Sequence, residues 1–156
     1  MENVTLVRGR RKAREYAFLF FYRFQIQINK LDESMASDKI NIKIKIKELR
    51  KDAETTLGVL EHSQENFVEE IFHYALSEKI KLEDLVVQNL TNWKIERLNP
   101  VDLTAILLAL VEMKFLNPPT PTPVVINEYV ELAKTYGNEQ SGSFVNGLLE
   151  KLGQLA

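Results

Sequence analysis

The sequence predicts an all-α protein of about seven helices, folded as one domain over residues 1–156. Apolar residues recur at helical spacing along most of the chain. Four of the five prolines fall within residues 118–123, so they interrupt the helical pattern at one place only. With 156 residues, of which 45% are apolar, the chain is large enough to bury a core.

The first predicted helix spans about residues 10–28 and continues from a basic arm, residues 1–14. Five aromatic residues lie within positions 18–24, so their rings point all round the helix. A surface helix buries only one stripe, so some of these rings are expected at the rim of the core or outside it. The residues expected to face inward are Ala13, Ala17, Phe20, Phe21, Phe24 and Ile28.

Residues 29–62 form a variable segment that contains the stretch INIKIKIKEL at 40–49. Its alternation of isoleucine and lysine is typical of a strand. However, Ile42, Ile46 and Leu49 also lie on one face of a helix. Because the neighbouring segments are helical, a helix is the favoured interpretation.

Two further helices are predicted before Pro100, one over about 64–78 and one around Leu82–Trp93. A helix then begins with Asn99 as N-cap and Pro100 at its first position, and it runs to about Leu116. The prolines of NPPTPTP make the next stretch a loop.

The last two predicted helices complete the count. Thr122 as cap and Pro123 after it start one helix, which Gly137 ends. Residues 144–152 mark the final helix, which Gly153 ends. Gly147 lies inside that helix, where glycine costs about 1 kcal/mol relative to alanine. A close approach of two helices would be a reason to keep it.

The composition excludes several classes of chemistry. The chain has no cysteine, so disulfides, thiolate metal sites and a cysteine nucleophile are ruled out. His62 and His73 have no matching carboxylate pattern and are expected on the surface or in helix packing. We expect no catalytic residue, metal or cofactor. No apolar run approaches the ~20 residues of a membrane span, so a cytoplasmic protein without a membrane partner is expected.

The charge is unevenly distributed. Residues 1–25 hold six basic and two acidic residues, a net of +4, whereas the rest of the chain carries −6. Arg10, Arg11 and Arg14 cannot all be buried on one helix, and a phosphate chain would relieve their repulsion. The alternative is a solvated helix start in which Glu15 pairs with Arg11.

Tyr22 lies roughly 80° from Arg14 around the axis of the predicted first helix. A ring there can stack on an unpaired base while arginines bind phosphates, as in single-stranded RNA recognition. The alternative is that Tyr22 packs at the rim of the core with its hydroxyl in water.

Three stretches resemble the NusB family of transcription antitermination proteins. They are RRKARE with the apolar helix that follows, NWKIERLNPVDLTAILLALVEM, and VVINEYVELAKTYGNEQSGSFVNGLLEKL. The resemblance covers most of residues 8–28 and 90–152 and is weak between about 29 and 62. It implies an all-α fold of two packed helical halves. It also implies binding of single-stranded boxA RNA in ribosomal RNA leader transcripts, together with the ribosomal protein NusE, on the elongating RNA polymerase.

The resemblance also implies which residues act. Asp102 matches an acidic residue at the protein-partner face. Arginine is frequent in the family where Leu103 or Leu107 stands, and lysine is frequent where Pro123 stands. Gln140 takes a place that is often acidic. The residues implied in RNA binding are Arg8, Arg10, Arg11, Lys12, Arg14, Tyr22, Tyr136, Gln140 and Phe144.

Two other functions stay open at the level of sequence. The helical domain also resembles the N-terminal part of some ribosomal RNA cytosine methyltransferases, which would make it an RNA-binding part of an enzyme. The third alternative is a structural homodimer, in which the apolar rim of the first helix packs on its twin and hides the arginines.

Overall fold

The computed structural model of the protein describes residues 6–7, 9–28, 47–48, 50–56, 58–91 and 94–155. Helices dominate these ranges, which confirms the predicted all-α class and the count of about seven helices. Residues 50–56 are helical, and Ile95–Arg97 form a short 3-10 helix. The other six helices are α1 (Arg10–Ile28), α2 (His62–Ser77), α3 (Lys79–Gln88), α4 (Pro100–Lys114), α5 (Thr122–Tyr136) and α6 (Ser141–Gly153).

The chain forms two compact units, residues 1–68 and residues 69–156. In the first unit, strand β1 (Leu6–Val7) pairs in parallel with strand β2 (Val59–Leu60). The sequence did not predict this two-residue ladder, because pairing between distant short segments leaves no local pattern. The helix predicted across residues 40–46 lies outside the described residues, while 47–48 and 50–56 are helical.

Helix α1 is buried around most of its circumference. Phe18, Phe20, Phe21 and Phe24 are each at most 2% exposed. The expectation that rings of this run lie at the rim therefore holds only for Tyr22, which is half-buried. The reason is that α1 is an enclosed helix, for which an apolar surface on all sides is normal. The side chain of Ile28 lies outside the described part of the chain.

Ion pairs and a buried tyrosine tie the first unit together. Arg50 lies 3.8 Å from Glu54 and 3.7 Å from Glu65, so it joins the helical segment 50–56 to α2. Tyr16 of α1 is 1% exposed, and burial raises the pKa of its hydroxyl, with Arg50 acting in the opposite direction. These contacts fix the start of α2 within the unit that holds the basic arm.

Helix α4 is the central element of the second unit. It packs against α5 and α6, and every residue from 101 to 113 except Leu103 is buried. The predicted cap is present, because Asn99 Oδ1 accepts a hydrogen bond from the Val101 N–H at 2.9 Å. The buried Glu112 carboxylate accepts a bond of 2.9 Å from the Thr120 hydroxyl and so holds the proline-rich loop.

Two local expectations in the second unit were wrong. Helix α5 has Pro121 as its N-cap, and Thr122 is already its first helical residue. The predicted last helix is present as α6, which begins at Ser141 and ends at Gly153. Gly147 is exposed, and a Cβ built there meets no atom within 4 Å, so no close helix approach explains it. Gly137 does end α5, as predicted.

Candidate nucleic-acid interface

The described residues of the basic arm are those of β1, Leu6–Val7, and those from Gly9 onwards, with Gly9 immediately before α1. Gly9 has a φ of +83°, in the left-handed region that side chains disfavour. Its carbonyl accepts the first helical hydrogen bond, from the Ala13 N–H at 3.0 Å. The glycine therefore lets the arm turn sharply into α1. Arg8, which the resemblance places at the RNA, lies outside the described residues.

The cations that follow Gly9 have different environments. Arg10, Arg11 and Lys12 are exposed, whereas Arg14 is only 6% exposed. Glu15 lies 3.9 Å from Lys12, and a loose surface pair of this kind contributes little to stability. Arg10, Arg11 and Lys12 therefore remain accessible to a polyanion, while Arg14 acts mainly inside the fold.

An aromatic ring from α2 lies beside these cations. The guanidinium carbon of Arg10 lies over the Phe67 ring, 4.0 Å from its centroid, and that of Arg14 lies 5.5 Å away. Phe67 lies within the helix predicted over about 64–78, and it is only 9% exposed. No local signal could have paired it with the arm, because the contact joins distant parts of the sequence.

Tyr22 belongs to one half-exposed stripe of α1. At 100° per residue, its members span about 100° of the helix surface. Arg11 and Lys12 continue this stripe towards the helix N-terminus, and Arg11 lies only about 20° from Tyr22 around the axis. The half-buried members of the stripe are Glu15, Leu19, Tyr22, Arg23 and Ile26.

Arg23 is a cation of this stripe that sequence reasoning counted but did not assign to the site. It is half-buried and follows Tyr22 directly. It lies about 20° from Lys12 around the axis, so cations stand on both sides of Tyr22 along the helix. The spacing of Lys12 and Arg23, three helical turns apart, is visible in the sequence. Only the burial pattern of α1 shows that the face they share is exposed to solvent.

Tyr136 ends α5, Gln140 is the N-cap of α6, and Phe144 lies in the first turn of α6, all in the second unit. Tyr136 is 37% exposed, Gln140 is exposed, and Phe144 is half-buried. The site residues are thus divided between the units: the arm and Tyr22 belong to residues 1–68, and this aromatic group belongs to residues 69–156.

The α5–α6 turn, residues 137–140, is held by short-range contacts. The Asn138 N–H donates to Ser141 Oγ at 3.0 Å, and the Gln140 N–H donates to Asn138 Oδ1 at 2.9 Å. A Cβ on Gly137 would lie 2.2 Å from Ser141 Oγ and 2.6 Å from the Ala133 carbonyl oxygen. The turn therefore requires glycine at position 137, because there is no room for a Cβ atom.

Asp102 lies in the first turn of α4 and is 6% exposed. Burial raises the pKa of its carboxyl, and a hydrogen bond from Ser141 acts in the opposite direction. Its Oδ1 has no hydrogen-bond partner within the described ranges. Leu103 beside it is half-buried, whereas Leu107 is 1% exposed and belongs to the core.

The histidines have surface environments. His62 lies 3.4 Å from the Glu65 carboxylate, and the ring of His73 meets that of Tyr74 edge-on at 5.0 Å. Within the described ranges, no three His, Cys, Asp or Glu residues are grouped to bind a metal ion. None of the helices described is both long and apolar enough to span a membrane.

Known proteins match almost the whole chain. A profile of the NusB family matches residues 11–154. The transcription antitermination protein NusB of Clostridium botulinum (strain Kyoto / Type A2) is 34% identical over 144 residues, 92% of this chain and 99% of that protein.

Two solved structures share the fold. NusB of T. maritima superimposes with a TM-score of 0.75 at 24% identity, covering 94% of this chain and 92% of that one. A chain in the crystal structure of antitermination factors NusB and NusE with dsRNA gives 0.74 at 24% identity, with coverages of 94% and 97%.

Proposed function

The chain belongs to the NusB family, and from that premise we propose that it is an RNA-binding transcription antitermination factor without enzymatic activity. It acts in the cytoplasm, where it binds boxA RNA of ribosomal RNA leader transcripts. The observation that carries the proposal is the stripe of α1, in which exposed cations and the half-buried Tyr22 share one open face.

The stripe supports single-stranded RNA as the ligand. Arg11 and Tyr22 are eleven residues apart, which is about 16 Å along a helix. Phosphates of a strand lying along α1 would meet Arg11 and Lys12 at one end and Arg23 beyond the tyrosine. Between these ends, an unpaired base would stack on the Tyr22 ring. Arg8 and Arg14 would add to the positive field, Arg14 from a buried position.

The α5–α6 turn contributes a second, uncharged contact. Tyr136 and Phe144 offer rings, and the Gln140 side chain offers an amide for base edges. Glu139 lies in the same turn and is exposed, and Lys134 pairs with Glu131 at 3.5 Å. Because this turn carries no excess of positive charge, its contribution should depend little on salt.

The proposed protein partner is the ribosomal protein NusE, and the pair joins the elongating RNA polymerase. This proposal is supported by the fold shared with a chain in the crystal structure of antitermination factors NusB and NusE in complex with dsRNA. We place the partner face at the start of α4, around Asp102. Because that carboxylate is 6% exposed, the exposed Pro100 and the half-buried Leu103 beside it would supply most of the contact.

The test is RNA binding by the chain alone and with NusE, using a boxA oligonucleotide, a scrambled strand and a double-stranded version. Preference for the single boxA strand, strengthened by NusE, supports the proposal. Equal binding of all three RNAs would contradict boxA recognition, and absence of RNA binding with a dimer by light scattering would favour the structural homodimer. Binding of S-adenosylmethionine would favour the methyltransferase alternative.

A further inference from the structure

Phe67 is a buried ring of α2 that has two cations of α1 beside it. Its ring face lies 4.0 Å from the guanidinium carbon of Arg10 and 5.5 Å from that of Arg14. These arginines are one turn apart on α1 and carry like charges, which repel at this spacing. The negative face of an aromatic ring attracts both and offsets that repulsion.

The two arginines differ in what they can still reach. Arg14 is 6% exposed and is committed to the fold. Arg10 is exposed, and no acceptor within the described ranges hydrogen-bonds to its guanidinium. A ring face attracts a cation without accepting its N–H groups in the manner of a carboxylate. The donors of Arg10 are therefore held in place while they stay available.

Lys12, on the same helix, has a carboxylate partner instead of an aromatic ring. Its ammonium lies 3.9 Å from the Glu15 carboxylate, an acceptor that competes with any phosphate for the same donors. A carboxylate partner lowers the net charge of the surface, whereas a ring partner leaves it unchanged. Of the two cations, Arg10 is the one that is held by a ring and has no carboxylate partner among the residues that the structure describes.

We propose that Phe67 is a positioning residue for RNA binding: its ring face holds the Arg10 guanidinium so that the N–H donors meet a phosphate of single-stranded RNA. This inference rests on the proposed RNA-binding function. It adds a residue of α2 to a predicted site whose residues in the first unit all lie in the basic arm and α1. Because Arg10 loses less conformational freedom on binding, the ring increases affinity without contacting RNA itself.

The test is a double-mutant cycle on the full chain with Phe67→Leu, Arg10→Gln and the pair, titrated with a labelled single-stranded boxA oligonucleotide at several salt concentrations. Arg10→Gln should make the slope of log K against log[salt] shallower by about 0.7. Phe67→Leu should weaken binding about two- to five-fold in the parent and cause no further loss in the Arg10→Gln background. An equal loss in both backgrounds would overturn the positioning role.

Other outcomes separate this inference from the proposed function. If the parent binds no RNA, the proposed function fails and the role of Phe67 with it. If the parent binds RNA but Arg10→Gln changes neither affinity nor slope, only the positioning role is overturned. Unchanged affinity in Phe67→Leu alone would overturn it as well.

Two controls separate positioning from stability. Phe21→Leu truncates another buried ring of the first unit, one that stacks on Phe24 and on no arginine of the described residues. It should destabilise the fold but leave the RNA affinity of the folded protein unchanged. Phe67→Tyr retains the ring and should bind like the parent. If Phe67→Leu does not fold, Phe67→Met takes its place in the cycle, and a parental affinity in that variant would contradict the proposal.

Discussion

The basic arm and the α5–α6 turn are fixed by different means. In residues 9–14 of the arm, an aromatic ring from α2 and the helix itself hold long cationic side chains. In the turn, residues 137–140, a glycine and hydrogen bonds between side chains and the backbone hold a short stretch of chain. One region is constrained through side chains and the other through its backbone.

The difference indicates where a substitution should have its effect. A side chain removed from the arm changes the charge presented to RNA but leaves the helix able to form. A methyl group added to the turn collides with backbone and cannot be accommodated by rotation of a side chain. The arm should therefore respond in RNA affinity and its salt dependence, and the turn in the free energy of unfolding.

The largest expected effect is at Gly137. Gly137→Ala places a Cβ 2.6 Å from the Ala133 carbonyl oxygen and 2.2 Å from Ser141 Oγ. We expect the free energy of unfolding to fall by about 3 kcal/mol, the upper part of the range for overpacking. Urea unfolding measures this. A loss below ~0.5 kcal/mol would show that the turn is not constrained through its backbone.

The next effect is in RNA affinity. Tyr22→Ala should weaken binding of single-stranded RNA by about 1–3 kcal/mol, the range for a base stacked on an aromatic ring. Tyr22→Phe keeps the ring and should recover most of that affinity. Fluorescence titration at constant salt measures both variants. If Tyr22→Ala is less stable but binds RNA like the parent while folded, Tyr22 only packs at the rim of the core.

A glycine of the same helix pair provides the counterpart to Gly137. Gly147 lies inside α6, and a Cβ there meets no atom within 4 Å. Gly147→Ala should therefore raise the free energy of unfolding by about 0.5–1 kcal/mol, since alanine loses less conformational freedom in a helix. Thermal and urea unfolding would detect the gain. Destabilisation by Gly147→Ala would contradict the open surface at this position.

A smaller, pH-dependent effect is expected at Asp102. Burial raises the pKa of its carboxyl above the ordinary 3.8, so the folded protein holds the proton more tightly than the unfolded chain. The free energy of unfolding should therefore fall as the pH rises from 3.8 through the raised pKa.

Asp102→Asn removes this titration. Its stability relative to the parent should increase across that pH interval and stay constant above it. Urea unfolding over a series of pH values measures the difference. Parallel pH profiles for the two proteins would contradict the raised pKa.

The sequence predicted most helices because their signals are local. Asn99 and Pro100 set the start of α4, and Gly137 sets the end of α5. The burial of α1 on most of its sides was not predictable, because a run of aromatic residues does not indicate how much of the helix surface the rest of the chain covers. The explanation of Gly147 was wrong for a similar reason, since spacing along a helix does not give the distance to the next one.

The candidate site was predictable in part. The cations and Tyr22 follow from charge, helical spacing and the family resemblance. Phe67 was missed because its contact with Arg10 joins α2 to α1, which are distant in the sequence. Arg23 was missed because the sequence does not show which face of α1 is exposed to solvent. The burial of Arg14 and Asp102 was equally hidden, since charged residues are normally read as exposed.

The central claim is that charge from the arm and stacking on Tyr22 contribute separately to RNA binding. It is tested most directly by titrating the parent, Arg11→Ala and Tyr22→Ala with single-stranded boxA RNA over a range of salt concentrations. The exposed Lys51 of the helical segment 50–56 provides a charge-matched control as Lys51→Ala.

The slope of log K against log[salt] should become shallower by about 0.7 for Arg11→Ala. Its affinity should approach that of the parent at high salt, whereas Tyr22→Ala should give a line parallel to the parent. Parallel lines for both variants would contradict the claim, because the charge of Arg11 would then neutralise no phosphate.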